Sequence, residues 1–122
     1  MTATERALEL TRVAAEAAAD KLGTDIVAYD VSDQLAITDV FLVITAANER
    51  QVGAVQDGVE EALRGLDSKP VRREGDRLQR WVLLDYLDVV VHIQHFEERK
   101  FYALERLWQD CPQINLGVDA RR

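Results

Sequence analysis

Hydrophobic positions change their period several times along the chain, and each change marks an element. In MTATERALELTRVAAEAAADKLG, Thr2 and Glu5 stand at capping-box spacing and Gly23 suits the position just past a helix end. Between them Leu10, Val13, Ala14, Ala17, Ala18 and Lys21 or Leu22 form a stripe of mostly small residues that can lie close against a sheet. DIVAYDV (Asp25 to Val31) alternates and predicts a strand, whereas DVFLVITA (Asp39 to Ala46) is almost continuously apolar and predicts a central strand covered on both faces. Asn48 and Gln51 repeat the cap logic, and Val52, Val55, Val59, Leu63 and Leu66 recur every three or four residues, so NERQVGAVQDGVEEALRGL predicts an amphipathic helix.

The polar stretch DSKPVRREGDRLQ has room for a short strand from Pro70 to Arg73 and a turn at Glu74 to Asp76. Two apolar runs follow in RWVLLDYLDVVVHIQ. From about Glu97, Phe101, Leu104, Leu107, Trp108 and Cys111 keep helical spacing until Pro112 stops it, leaving 112–122 as a mobile tail. The expected fold is α/β (α+β), one domain over 1–111, with a mixed sheet of four to five strands packed by helices.

Geometry sharpens the two apolar runs. With Tyr86 and Leu87 as a two-residue loop, Asp85 pairs with Asp88, Leu83 with Val90 and Trp81 with His92. Val82, Leu84, Val89, Val91 and Ile93 then share one aliphatic face, and Trp81, Leu83, Asp85, Asp88, Val90, His92 and Gln94 share a mixed one. The first belongs in the core, while the second has the composition of an interface. Neither Tyr86 nor Leu87 suits a positive φ, so a longer loop with the register slipped by one is the alternative, and a second reading of Trp81 is a core tryptophan with its indole N–H satisfied.

At 122 residues and 48% hydrophobic, the chain can bury one core unaided, and its single cysteine, Cys111, leaves no intramolecular disulfide, in keeping with a reducing, cytoplasmic setting. No segment has the roughly 18 to 20 consecutive apolar residues of a membrane span, and the charged N-terminus lacks a signal-peptide core. A net charge of -7 argues against a dominant direct grip on nucleic acid and suits a basic protein partner.

Candidate chemistry is sparse. Asp30, Asp33, Asp39, Asp85 and Asp88 raise the possibility of metal-dependent nucleotidyl transfer or phosphohydrolysis, but a turn flanked by aspartates is ordinarily a solvated turn. His92 and His95, three apart on a strand, fall on opposite faces. RREGDR with Arg80 is the one concentrated basic run, and it reads as a phosphate contact or a solvated edge. No Gly-rich phosphate loop, serine elbow or C-x-x-C occurs, so the chain is read as a non-enzyme needing no cofactor.

Taken together, DIVAYDVSDQLAITDVFLVITAANERQV and RWVLLDYLDVVVHIQHFEERKFYALERLW resemble the ribosomal silencing factor family, also called Iojap, over about Leu22 to Trp108. The resemblance implies a fold similar to a minimal nucleotidyltransferase domain without demonstrated catalysis. It also implies binding to the large ribosomal subunit through large-subunit ribosomal protein fourteen, steric blocking of subunit joining, and repression of translation under nutrient limitation. The same face is expected to serve a homodimer in the free protein. Carried over, Trp81 is the aromatic anchor, with Leu83, Asp85, Tyr86, Asp88 and Val90 around it. Arg99 and Tyr102 match the later R-x-F-Y motif, as partner contacts or as fasteners of the last helix. Ala47 and Leu87 stand where the family usually has glycine.

Overall fold

The computed structural model describes residues 2–35, 37–75, 79–102 and 104–117, the side chains of residues 101, 102, 104 and 105 excepted. Its elements are α1 (Glu5–Asp20), β1 (Thr24–Asp30), β2 (Val40–Ala46), α2 (Glu49–Arg64), β3 (Arg72–Gly75), β4 (Trp81–Asp85), β5 (Val89–His95) and α3 (Phe96–Tyr102), with a final 3-10 turn at Leu104–Trp108. The strands form one five-stranded sheet in the order β1-β2-β5-β4-β3. Only β2 and β5 run parallel; the other neighbours are antiparallel.

The central position of β2 and β5 follows from their composition. Unbroken aliphatic runs can be buried on both faces, and every residue of β5 is buried. Val40, Leu42 and Ile44 of β2, Val89, Val91 and Ile93 of β5, and Val82 and Leu84 of β4 join one core with Leu10 of α1 and Val52, Val55, Val59 and Leu63 of α2. Those four are among the five positions the helical period picks out; the fifth, Leu66, follows the helix end at Arg64 and packs partly buried against the core. On α1 the buried stripe is Ala7, Leu10, Thr11, Ala14, Ala15, Ala18 and Ala19, rotated from the expected one so that Val13 and Ala17 sit at its margin. Alanine offers little side-chain area with which to fix the rotation of a helix from its sequence.

The ends of α1 also differ from expectation. Its N-cap is Thr4, whose hydroxyl accepts from the Ala7 N–H, and not Thr2. At the other end the left-handed residue is Leu22, with φ 68°, and the Gly23 N–H donates to the Ala18 carbonyl at 2.8 Å. Gly23 is needed for space: a Cβ there would lie 2.9 Å from both Ala18 O and Ile44 Cγ2.

The single last helix predicted from about Glu97 to Pro112 is instead the short α3 followed by the 3-10 turn. His95, just before α3, accepts the Glu97 N–H on Nδ1 at 3.1 Å and so caps the helix. Beyond the turn, Pro112 to Ile114, the start of the segment expected to be a mobile tail, run along β1, and residues 118–122 of that segment lie outside the described residues. Pro112 O accepts from Asp30 N at 2.8 Å, Ile114 N donates to Ala28 O at 2.9 Å, and Gln113 bridges Tyr29.

Candidate functional site

The mixed face predicted for β4 and β5 exists, with a corrected register. Trp81 pairs with Gln94, Leu83 with His92 and Asp85 with Val90, so the partner sum is larger by two than a two-residue loop allows. An even shift leaves every side chain on its predicted face. It does move Asp88 out of the ladder and into a three-residue turn with Tyr86 and Leu87. The turn closes through Tyr86 N to Val89 O at 2.9 Å, and Leu87 N donates to Asp85 Oδ1 at 2.9 Å. Leu87 has φ 71°, the conformation that favours glycine.

Opposite the helices α1 and α2, β2 and β4 flank β5 with Phe41, Val43 and Thr45 on one side and Leu83 and Trp81 on the other. The Trp81 indole N–H donates to His92 Nδ1 at 3.2 Å, with ring centroids 6.1 Å apart. That bond sets the indole's orientation and puts the proton of the neutral imidazole on Nε2. Burial pushes the His92 pKa down to about 4, so the acceptor at Nδ1 persists at neutral pH. Phe41 continues the row, 5.2 Å from His92 and 4.9 Å edge-on to Trp108, which seats the 3-10 turn over β2. Sequence reasoning placed His92 on this face but missed its role as the partner of Trp81. It missed Phe41 and Trp108 as well, because the ladder between β2 and β5 is not visible from local spacing.

Among the residues expected at the site, Trp81, Leu83 and Asp85 are brought together, all half-buried along β4, and among the described residues the β4–β3 side of this face lies open. Val90 lies on the same face but is buried. Asp88 is half-buried in the turn, where its carbonyl accepts the Asp39 and Val40 N–H groups, both at 3.2 Å. Tyr86 is 4% exposed and part of the helix-side core, where burial pushes its hydroxyl up to about 12, and so lies apart from the half-buried side chains of β4. Arg99 fastens α3 to the strands, donating to Asp25 O at 2.8 Å and Thr45 Oγ1 at 2.7 Å. The side chain of Tyr102 lies outside the described residues.

The carboxylates have local structural work. Asp30 accepts from Ala3 N and from both the N–H and the hydroxyl of Ser32, and Asp39 accepts from Thr4 N. Burial pushes the Asp30 carboxyl up, but those hydrogen bonds outweigh it and hold the group below its ordinary value. Asp85 holds its own turn and lies 3.6 Å from Arg72. Among the described residues, no three His, Cys, Asp or Glu side chains converge as a metal site. His95 stands on the helix side, 3.5 Å from Glu49, as the odd spacing from His92 predicts. The basic run is largely neutralised within the fold: Arg72 pairs with Glu74, Arg73 forks onto Glu60, and Arg80 bridges Glu97 and Glu98.

Comparison with known proteins adds to this geometry. A family model described as "Ribosomal silencing factor during starvation" matches residues 4–122. The ribosomal silencing factor RsfS of Halalkalibacterium halodurans is 37% identical over 108 residues, covering 88% of this chain and 92% of that protein. The one from Bacillus subtilis is 36% identical over 107 residues, with 88% and 91% covered. A crystal structure of a protein from Chromobacterium violaceum superposes with a TM-score of 0.79 at 35% identity, covering 83% of this chain and 84% of that one.

Proposed function

Since the chain belongs to the ribosomal silencing factor family, we propose that it binds the large ribosomal subunit through large-subunit ribosomal protein fourteen, blocks joining of the small subunit, and so represses translation when nutrients are limiting. It acts in the cytoplasm, as a binding protein and not as an enzyme. The observation that carries this reading is the open stretch of sheet around Trp81. A large indole, half-buried and fixed by His92, stands beside Leu83 and Asp85 with the exposed strand β3 at their edge. A rigid aromatic ringed by partly exposed residues is the usual organisation of an interface hot spot, because little side-chain entropy remains to be lost on binding. The net charge of -7 supports the choice of a basic partner through long-range attraction.

The reading is tested by mixing purified small and large subunits with increasing amounts of the protein and following formation of joined ribosomes by light scattering. Preincubation of the large subunit is expected to reduce joining in proportion to occupancy, and preincubation of the small subunit alone is not. Joining that proceeds unchanged at saturating protein would contradict the proposal.

A further inference from the structure

Where α2 ends and the chain turns into β3, Glu60, Arg64, Ser68, Lys69, Pro70 and Arg73 line a cleft of about 240 Å³. It opens on the helix side of the sheet, because Arg73 pairs with Leu84 of the core and shares its face, opposite Trp81, Leu83 and Asp85. On a chain of net charge -7, three cations meet one carboxylate here. That carboxylate is fully engaged: Glu60 receives Arg73 Nε at 3.1 Å, Arg73 Nη2 at 2.6 Å and Gln56 Nε2 at 3.0 Å. Arg73 Nη1 stays outside the fork, and Arg64 and Lys69 are exposed without an ion pair to any described residue. Capping of α2 does not explain the whole cluster. A cation in the last turn suits the helix dipole, which accounts for Arg64, but the Glu61, Leu63 and Arg64 carbonyls already accept the N–H groups of Gly65, Ser68 and Asp67.

Tyr86 lies under this cleft. Its ring belongs to the helix-side core, and its buried hydroxyl has no hydrogen-bond partner. The Val71 N–H donates to the Asp85 carbonyl at 2.7 Å, which seats the Pro70–Val71 segment beside it. The charges that act on the phenol are those of Glu60, Arg73 and Arg64, all three from the cleft wall, so its oxygen points at the cleft floor. A phenylalanine would fill the same core space without leaving a desolvated donor unmatched. Arg64 and Arg73 are exposed side chains that can turn, so a ligand that draws them toward itself uncovers the floor. Two guanidinium groups, an ammonium and two hydroxyls form a set of donors, the complement of a tetrahedral oxyanion. Three cations suit a terminal phosphate of charge about -2 better than a backbone diester, which carries a single charge. The volume is below the roughly 300 Å³ at which ordinary cofactor pockets begin, so it suits a phosphate with few further atoms.

We propose that this cleft binds the terminal phosphate of a small phosphate monoester, gripped by Arg64, Lys69 and Arg73 and completed by the Ser68 and Tyr86 hydroxyls. The site stands on the opposite face of the sheet from Trp81 and is independent of the ribosomal reading. It is tested by following the amide resonances of the full chain while inorganic phosphate or glycerol phosphate is added, against sodium chloride of matched ionic strength and a short single-stranded RNA. Amides between Arg64 and Arg73 are expected to shift and saturate with either phosphate and not with chloride. Lys69→Gln and Arg64→Gln, which remove exposed and unpaired charges, should each weaken binding at least about fivefold and melt as wild type does. Tyr86→Phe should also bind more weakly while melting no lower than wild type, since only an unpartnered hydroxyl is lost. Shifts that fail to saturate, or that chloride reproduces, overturn the site. Undiminished binding by Lys69→Gln and Arg64→Gln, or by Tyr86→Phe, overturns it as well. RNA that binds at the same amides more tightly than glycerol phosphate overturns it in favour of the backbone phosphates of nucleic acid.

Discussion

His92 is the residue on which the tryptophan's placement depends, and it is a pH-sensitive support. Its pKa is about 4 in the fold and near 6.5 in the unfolded chain, because burial disfavours the charged ring. Below pH 6.5 the unfolded state therefore binds more protons, so stability is fully present above that pH and falls as the pH drops toward 4. The contribution at stake is roughly 3 kcal/mol at 1.36 kcal/mol per unit. Urea midpoints measured from pH 7 to 4 should fall for wild type, and the fall should be shallower in His92→Gln, which cannot titrate. Equal slopes would show that His92 is not buried in the neutral form. At this scale the sequence was informative about polarity and poor about burial. Trp81, Leu83 and Asp85 could be grouped from alternation alone. Tyr86 could not be sent to the core, because its position depends on a turn whose length is set by Leu87 entering the left-handed region and by Asp85 holding the Leu87 amide.

Elements were legible where one physical requirement dominated. The α2 stripe and the continuous runs of β2 and β5 reveal themselves because burial on a given face fixes both residue type and period. The last helix was misjudged because apolar spacing persists through a break into 3-10 geometry, and His95 as its cap lay unrecognised inside a strand-like run. At the junction of α1 and β1, packing is close enough to be tested directly. Gly23→Ala places a methyl 2.9 Å from a carbonyl oxygen and from the Ile44 side chain, so one of them must move. Overpacking of this kind typically costs about 1 to 3 kcal/mol, and thermal or urea unfolding should show a loss in that range. A variant as stable as wild type would mean that the helix end approaches β2 less closely than described. Arg99 belongs to the same scale. Its guanidinium joins α3 to β1 and β2, so its primary role is to hold the layer that seats the 3-10 turn beside the aromatic row.

On the scale of the whole molecule, α1 and α2 close one face of the sheet and leave the other to α3, the 3-10 turn and an open stretch beside β3. Among the described residues, that asymmetry gives the sheet one packed side and one partly open side. The mixed sheet packed by helices was deducible from element order, whereas the strand order was not, since the parallel pairing of β2 with β5 joins segments far apart in the chain. The proposed docking through the open side requires Trp81, and co-sedimentation of wild type and Trp81→Ala with isolated large ribosomal subunits checks this, with circular dichroism to establish that the variant is folded. Truncating an interface anchor typically costs about 2 kcal/mol or more, so the folded variant should remain in the supernatant at concentrations where wild type pellets. A folded variant that pellets as well as wild type would contradict the account by placing the interface elsewhere on the molecule.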